Sequence, residues 1–187
     1  MRRGFPKGIA PLVLAVILVN PGGSAALAAP LSADMIVSVP DQVLALVGRG
    51  KLIARYSIST SKFGTGDSAA SFRTPLGTLF VSAKIGDRLP QGAVIKNRMP
   101  TGEVVAVDAP GRDPIVSRVI WLRGMETQNQ KARDRCIYIH GTPEERRIGT
   151  SASFGCIRMR SHDIIDLYDR VHIGTRPDHA TQDSRFR

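Results

Sequence analysis

The chain has 187 residues, 42% hydrophobic and 5% aromatic, with 26 Lys and Arg against 16 Asp and Glu for a formal net charge of +10. So few aromatics and no basic helix argue against nucleic acid as a partner, and the surplus charge suits a solvated surface or one facing an anionic polymer or membrane. The four histidines (His140, His162, His172, His179) and two cysteines form no His-Glu-x-x-His or Cys-x-x-Cys array, and no phosphate-loop or dinucleotide glycine pattern is present, so neither metal nor cofactor is expected.

In chain order, the first segment is Arg2, Arg3 and Lys7, an apolar run from Ile9 to Val19, and Ala26-Leu27-Ala28. That is the three-part layout of a secretory signal peptide over residues 1–28. The apolar run falls short of the ~20 residues a membrane span needs, and Pro11 interrupts it early. Export to the periplasm or cell wall is therefore expected. A short linker over 29–34 would follow, then a single domain over 35–176 and a polar, frayed tail over 177–187.

The domain reads as short strands separated by turns. Strands are expected at Met35–Val39, Gln42–Val47 and Lys51–Ser59, the last two joined by Gly48-Arg49-Gly50 as a hairpin. Gln42–Val47 is apolar on both faces, which suits a strand buried between layers. Further strands are expected at Gly77–Ile85, Val104–Val107, Val116–Leu122 and Ile137–His140, with long loops at 61–74 and 123–134. Gly64-Thr65-Gly66-Asp67 reads as a loop tip, and Glu144-Glu145-Arg146-Arg147 as a solvated loop or lid. One helix is expected near the C-terminus. Ser161 would be its N-cap, Asp163 would sit in its first turn, and Ile164, Ile165, Tyr168 and Val171 give an apolar stripe.

The chemistry concentrates in His140-Gly141-Thr142 and in Ser153-Phe154-Gly155-Cys156-Ile157-Arg158-Met159, whose Cys156 lies 16 positions after His140. A cysteine alone is usually a small core hydrophobe, and a histidine alone is usually structural. Together they supply a nucleophile and the base that takes its proton. Gly155 permits a sharp turn and close backbone approach to a substrate. The N–H groups of Phe154, Gly155 and Cys156 would converge on an oxyanion. Arg158 either grips a substrate carboxylate with its two-pronged guanidinium or locks the turn to a nearby carboxylate. Ser153 is expected to hydrogen-bond within the turn. Cys136 would lie on one face of a strand with Tyr138 and His140, about 13 Å from His140 at ~3.3 Å per residue. That is too far to join Cys156 by a disulfide if Cys156 touches His140, so Cys136 reads as a structural thiol.

The two runs resemble the signature of the L,D-transpeptidases, cysteine enzymes with a YkuD-type domain that act on bacterial peptidoglycan. Gln42-Val43-Leu44-Ala45-Leu46, Thr74-Pro75-Leu76-Gly77 and Trp121-Leu122-Arg123-Gly124-Met125-Glu126 resemble that family too, so the likeness spans about 35–176. It implies a mainly β, YkuD-like sandwich or barrel with one short C-terminal helix. It implies Cys156 as nucleophile and His140 as base, with the Gly141 carbonyl orienting the ring. It also implies peptidoglycan stem peptides as substrates. The acyl group of a stem tetrapeptide would pass, with loss of terminal D-alanine, to another stem or to a lipoprotein or outer-membrane protein. A monomer is expected. Many members carry Ser-His-Gly-Cys, and Phe154 departs from that pattern with a side chain that cannot titrate. Two alternatives remain open. One is an L,D-carboxypeptidase or endopeptidase using water as acceptor. The other is a non-catalytic wall-binding module whose Cys136 traps Cys156.

Overall fold

The computed structural model describes residues 33–178. The expected signal peptide, most of the linker and the end of the tail lie outside the described residues. Among the described residues ten strands are formed: β1 (Ala33–Ser38), β2 (Val43–Gly48), β3 (Lys51–Ser59), β4 (Leu79–Ile85), β5 (Ala93–Lys96), β6 (Met99–Val104), β7 (Val116–Gly124), β8 (Tyr138–Gly141), β9 (Ile157–Met159) and β10 (Arg176–Asp178). One helix, α1 (Ser161–Arg170), lies between β9 and β10. The strands join in the order β10-β1-β2-β3-β9-β8-β7-β5-β6, with β4 pairing β7 off that path. The sheet is mixed: β8 and β9 run parallel, as do β1 and β10, and the other pairs are antiparallel.

The sheet curls on itself. Val81 donates to the Thr175 carbonyl and Gly174 to the Val81 carbonyl, each at 2.8 Å, so the approach to β10 meets β4. Inside the curl, Met35, Val37, Leu44 and Leu46 from β1 and β2 share one core with Leu79, Val81, Ile120, Leu122, Ile139 and Ile157. The mainly β, barrel-like architecture with one helix is therefore what the chain adopts. Ile164, Leu167, Tyr168 and Val171 are buried in the same core and seat α1 across β7 and β8. Each such side chain stabilises the fold by roughly 1.5–3 kcal/mol.

Several expected boundaries shift, each for a physical reason. Ser161 is not the N-cap: Arg160 holds that position without a capping side chain. Ser161 is the first helical residue, and its N–H is taken by Glu145 Oε1 at 2.8 Å. A carboxylate from a distant turn thus satisfies the helix start, where it also suits the dipole. Asp163 does lie in the first turn, beside Arg160 and His162. The strand expected at Val104–Val107 is instead the β5–β6 hairpin, which ends at Val104. All six residues of β6 are exposed, including Pro100, so this edge strand carries no alternating pattern to read. Its two-residue turn, Asn97-Arg98, has φ of 52° and 67°, the primed geometry that matches strand twist. Residues 177 and 178, expected to be frayed, join Arg176 in pairing with β1 through backbone groups, which need no apolar signature.

Candidate active site

Strands β8 and β9 bring the two runs together. Their parallel register sets Ile139 beside Ile157 and His140 beside Arg158. Side chains two apart on a strand share a face, so Tyr138 and His140 project from the same side of β8 as Arg158 does from β9, and Cys156 is the residue just before β9. Cys156 thus lies two positions before Arg158, the residue that flanks His140. Gly141 ends β8 where no side chain fits: a Cβ there would lie 2.5 Å from the Val116 carbonyl oxygen.

His140 is buried, 6% exposed, and its Nδ1 lies 2.8 Å from the Gly141 carbonyl oxygen. A carbonyl only accepts, so Nδ1 carries the proton and the neutral ring leaves Nε2 as a base. Burial pushes the His140 pKa below its usual value, against smaller opposing pulls from Gly141 and Asp113. The ring is therefore neutral at physiological pH.

Cys156 is partly buried and packs against the cluster of Ile95, Val119 and Tyr138. Its Sγ donates to the Cys136 carbonyl at 3.4 Å and accepts the Tyr138 N–H at 3.4 Å. No hydrogen bond joins it to the His140 ring among the described residues. Burial pushes the thiol pKa up to about 11, with the Tyr138 N–H opposing. The resting pair is accordingly thiol and imidazole, not thiolate and imidazolium. Alkylation of Cys156 should be slow at neutral pH, with its midpoint above the ~8.5 of a free cysteine. Replacing His140 with Ala should leave that midpoint in place. A wild-type midpoint below 8.5 that rises on substitution would show the ion pair instead.

The turn before Cys156 is held from several sides. Ser153 Oγ donates to the Cys156 carbonyl at 2.6 Å and accepts the Gly155 N–H at 3.2 Å. The expected bond of Ser153 within the turn is thus formed, but it occupies the Gly155 donor. That corrects the expectation of three N–H groups free for an oxyanion and leaves Phe154 and Cys156 as candidates. Gly155 has φ of +119°, a conformation that strains any residue with a Cβ. Thr74 Oγ1 donates to the Gly155 carbonyl at 3.1 Å. Thr60, fixed by the buried Gln42 amide, accepts the Ala152 and Ser153 N–H groups through its carbonyl at 2.9 Å. Phe154 points outward, 61% exposed, and forms an aromatic cluster with Phe63 and Phe72 at ring separations of 5.7 and 6.0 Å.

Arg158 is 4% exposed, and its Nη1 pairs with Asp113 and, at 3.4 Å, with Glu144. Of its two expected uses, the geometry matches the lock. Thr142 Oγ1 also donates to Asp113 and accepts the Glu144 N–H at 3.0 Å. Asp113 therefore ties both motif runs together, and sequence reasoning missed it. It sits in Gly111-Arg112-Asp113-Pro114, 45 residues from Arg158, with nothing local to mark it. The stretch expected as a lid, Glu144–Arg147, is pinned: Glu144 to Arg158 and Arg147, Glu145 to the start of α1, and the Arg146 N–H to Asp108.

Two further corrections concern the loops. Cys136 lies before β8 with φ of +55°, so the chain bends there and brings the Cys136 carbonyl to Cys156. The straight-strand separation of Cys136 from the site does not hold, although both cysteines are free thiols. Gly64–Asp67 is not a free tip. Arg135 pairs with the buried Asp67 at 2.6 Å and donates to the Gly66 and Arg73 carbonyls. This pins the 61–74 loop beside the Cys156 turn. Among the described residues no group of three or more His, Cys, Asp and Glu could hold a metal ion.

This arrangement, a cysteine in a strained glycine turn next to a carbonyl-oriented histidine on parallel strands, has counterparts among known proteins. Residues 32–177 match the description of the YkuD L,D-transpeptidase catalytic domain. YqjB of Bacillus subtilis, an L,D-transpeptidase by name, is 30% identical over 150 residues, covering 79% of this chain and 72% of that protein. Similar solved structures include L,D-transpeptidase 3 from Mycobacterium tuberculosis with a faropenem-derived adduct (TM-score 0.53, 15% identity, 81% of this chain and 61% of that one). Another is an L,D-transpeptidase from Xylanimonas cellulosilytica (TM-score 0.51, 18% identity, 82% and 62%). The chain thus spans about three fifths of the length of these solved structures. It belongs to the YkuD family of L,D-transpeptidase catalytic domains.

Proposed function

We propose that this chain is an exported L,D-transpeptidase that works on peptidoglycan stem peptides in the periplasm or cell wall. The observation that carries the reading is His140 Nδ1 bound to the Gly141 carbonyl, which leaves Nε2 basic on the strand next to the one that Cys156 precedes. On substrate binding, Sγ turns from the Cys136 carbonyl toward the substrate carbonyl carbon and gives its proton to Nε2. The bond attacked joins the L-centred third residue of a stem tetrapeptide to its terminal D-alanine. The N–H groups of Phe154 and Cys156 face the oxyanion, and losing one such donor typically costs on the order of 10²–10³ in rate. The imidazolium returns its proton to the departing D-alanine amine and a thioester remains. An acceptor amine then loses a proton to His140, forms the new amide, and the thiol is restored.

The neutral resting pair fits this scheme, because a general base need only take the proton as the carbon–sulfur bond forms. Tetrapeptide muropeptide incubated with the protein should release D-alanine and yield cross-linked dimers by mass spectrometry. Cys156→Ala should release none. Equal release from both proteins would remove Cys156 as nucleophile. Shortened monomers alone, with acceptor amine abundant, would assign the chain to the hydrolases of the same fold.

A further inference from the structure

The transpeptidase reading requires a substrate carrying free carboxylates, yet Arg158 is committed to Asp113 and Glu144. A cavity of about 270 Å³ offers another cation. Ile95, Ile115 and Val119 line it with Asn97, Arg98, Cys136 and Tyr138. Cys136 and Tyr138 are the residues whose carbonyl and N–H touch Cys156 Sγ. The cavity therefore shares two residues with the surroundings of the sulfur, and Cys156 packs against the same Ile95, Val119 and Tyr138 cluster without itself lining the cavity.

Arg98 sits in the Asn97-Arg98 turn, with its guanidinium carbon 5.2 Å from the centre of the Trp121 ring. Arg133 lies 4.6 Å from the same ring. The Trp121 indole is fixed by its bond to the Arg133 carbonyl at 3.2 Å and by edge-on contact with Tyr138 at 5.7 Å. Neither guanidinium has a carboxylate within salt-bridge distance among the described residues, and no acidic residue lines the cavity. Two unpaired arginines on one tryptophan, beside an apolar cavity, suit a ligand with an aliphatic chain ending in a carboxylate.

We infer that Arg98, supported by Arg133 across Trp121, binds a free carboxylate of the donor peptide's third residue, whose aliphatic chain fills the Ile95–Ile115–Val119 cavity. This rests on the transpeptidase reading for the identity of the donor. The role is one of specificity: Arg98 touches substrate away from the scissile bond, so its loss should raise KM and leave kcat nearly unchanged.

The test uses tetrapeptide donors with the third residue's side-chain carboxylate either free or amidated. Arg98→Gln should raise KM for the free acid about tenfold, the loss of one exposed charge-assisted pair, and leave KM for the amidated donor unchanged. Arg98→Lys should recover part of the loss. Calorimetric titration of the same peptides into Cys156→Ala protein reads binding without turnover. If Arg98→Gln binds and turns over the free acid as wild type does, the inference falls while the transpeptidase reading stands. If no protein releases D-alanine but Arg98→Gln still weakens free-acid binding selectively, the carboxylate site stands and the reaction assignment falls.

Discussion

His140→Ala should lower turnover of tetrapeptide donor by about 10²–10⁴, the range a positioned general base supplies, while leaving the fold intact. The ring contributes one hydrogen bond, to Gly141, and its removal leaves only that carbonyl to be resatisfied. The sign of the pH dependence follows from the same residue. Catalysis needs neutral imidazole, and burial holds the His140 pKa below its usual value. The acid limb of kcat/KM should therefore fall below the ~6.5 of a free histidine, with the base form intact at neutral pH. Measured profiles of wild type and variant check this. An acid limb above 6.5, or turnover unaffected by the substitution, would mean that His140 is not the base.

The second large effect is on stability. Arg158→Met should destabilise the domain by about 3 kcal/mol, the low end for breaking a buried pair, because the guanidinium is buried but its two carboxylates are about a quarter exposed. Asp113 and Glu144 would lose their shared cation, and with it the bond that ties the Thr142 turn to β9. At ~2–4 °C per kcal/mol for a domain of this size, the thermal midpoint should drop by about 6–12 °C. Nε and Nη2 of Arg158 are buried without partners, so part of the desolvation penalty is already present in the wild type. Replacing Arg158 and Asp113 together with apolar residues should therefore cost less than Arg158→Met alone. A loss below 1 kcal/mol for Arg158→Met, read from denaturant midpoints, would show that the pair holds nothing together.

The site was legible where chemistry is local. His140, Gly141, Ser153 and Cys156 announce themselves within two short runs, and the structure sets those runs on neighbouring strands. The apolar strands β2, β4 and β7 were legible because burial writes itself into composition, and β3, mostly exposed, because a glycine turn joins it to β2. What stayed hidden acts over distance or through backbone. Asp113 reaches Arg158 from an unremarkable loop, and Glu145 caps a helix that begins 16 residues later. β6, exposed along its length, and β10, Arg176-Pro177-Asp178, carry no apolar pattern to read. The bend at Cys136, a non-glycine residue at positive φ, has no signature in residue type at all. Without that bend the Cys156 thiol would have no carbonyl on which to rest.

Strands β8 and β9 run parallel, and this explains the spacing of the two motif runs. Antiparallel neighbours can be joined by a two-residue turn, whereas parallel ones need a return path of a dozen or more residues. Residues 142–156 are that path, and at this length they are close to the shortest that can make the journey. They pass through the Glu145–Arg147 turn and an exposed stretch at 149–151 before the chain re-enters the sheet at Ile157. Adding residues at 149–151 would cost little, since closing a longer loop costs only about 0.6 kcal/mol per doubling. Deleting several residues would leave the chain too short to cross, and would separate histidine from cysteine without altering either one. The interval between the two motifs is therefore elastic in one direction only.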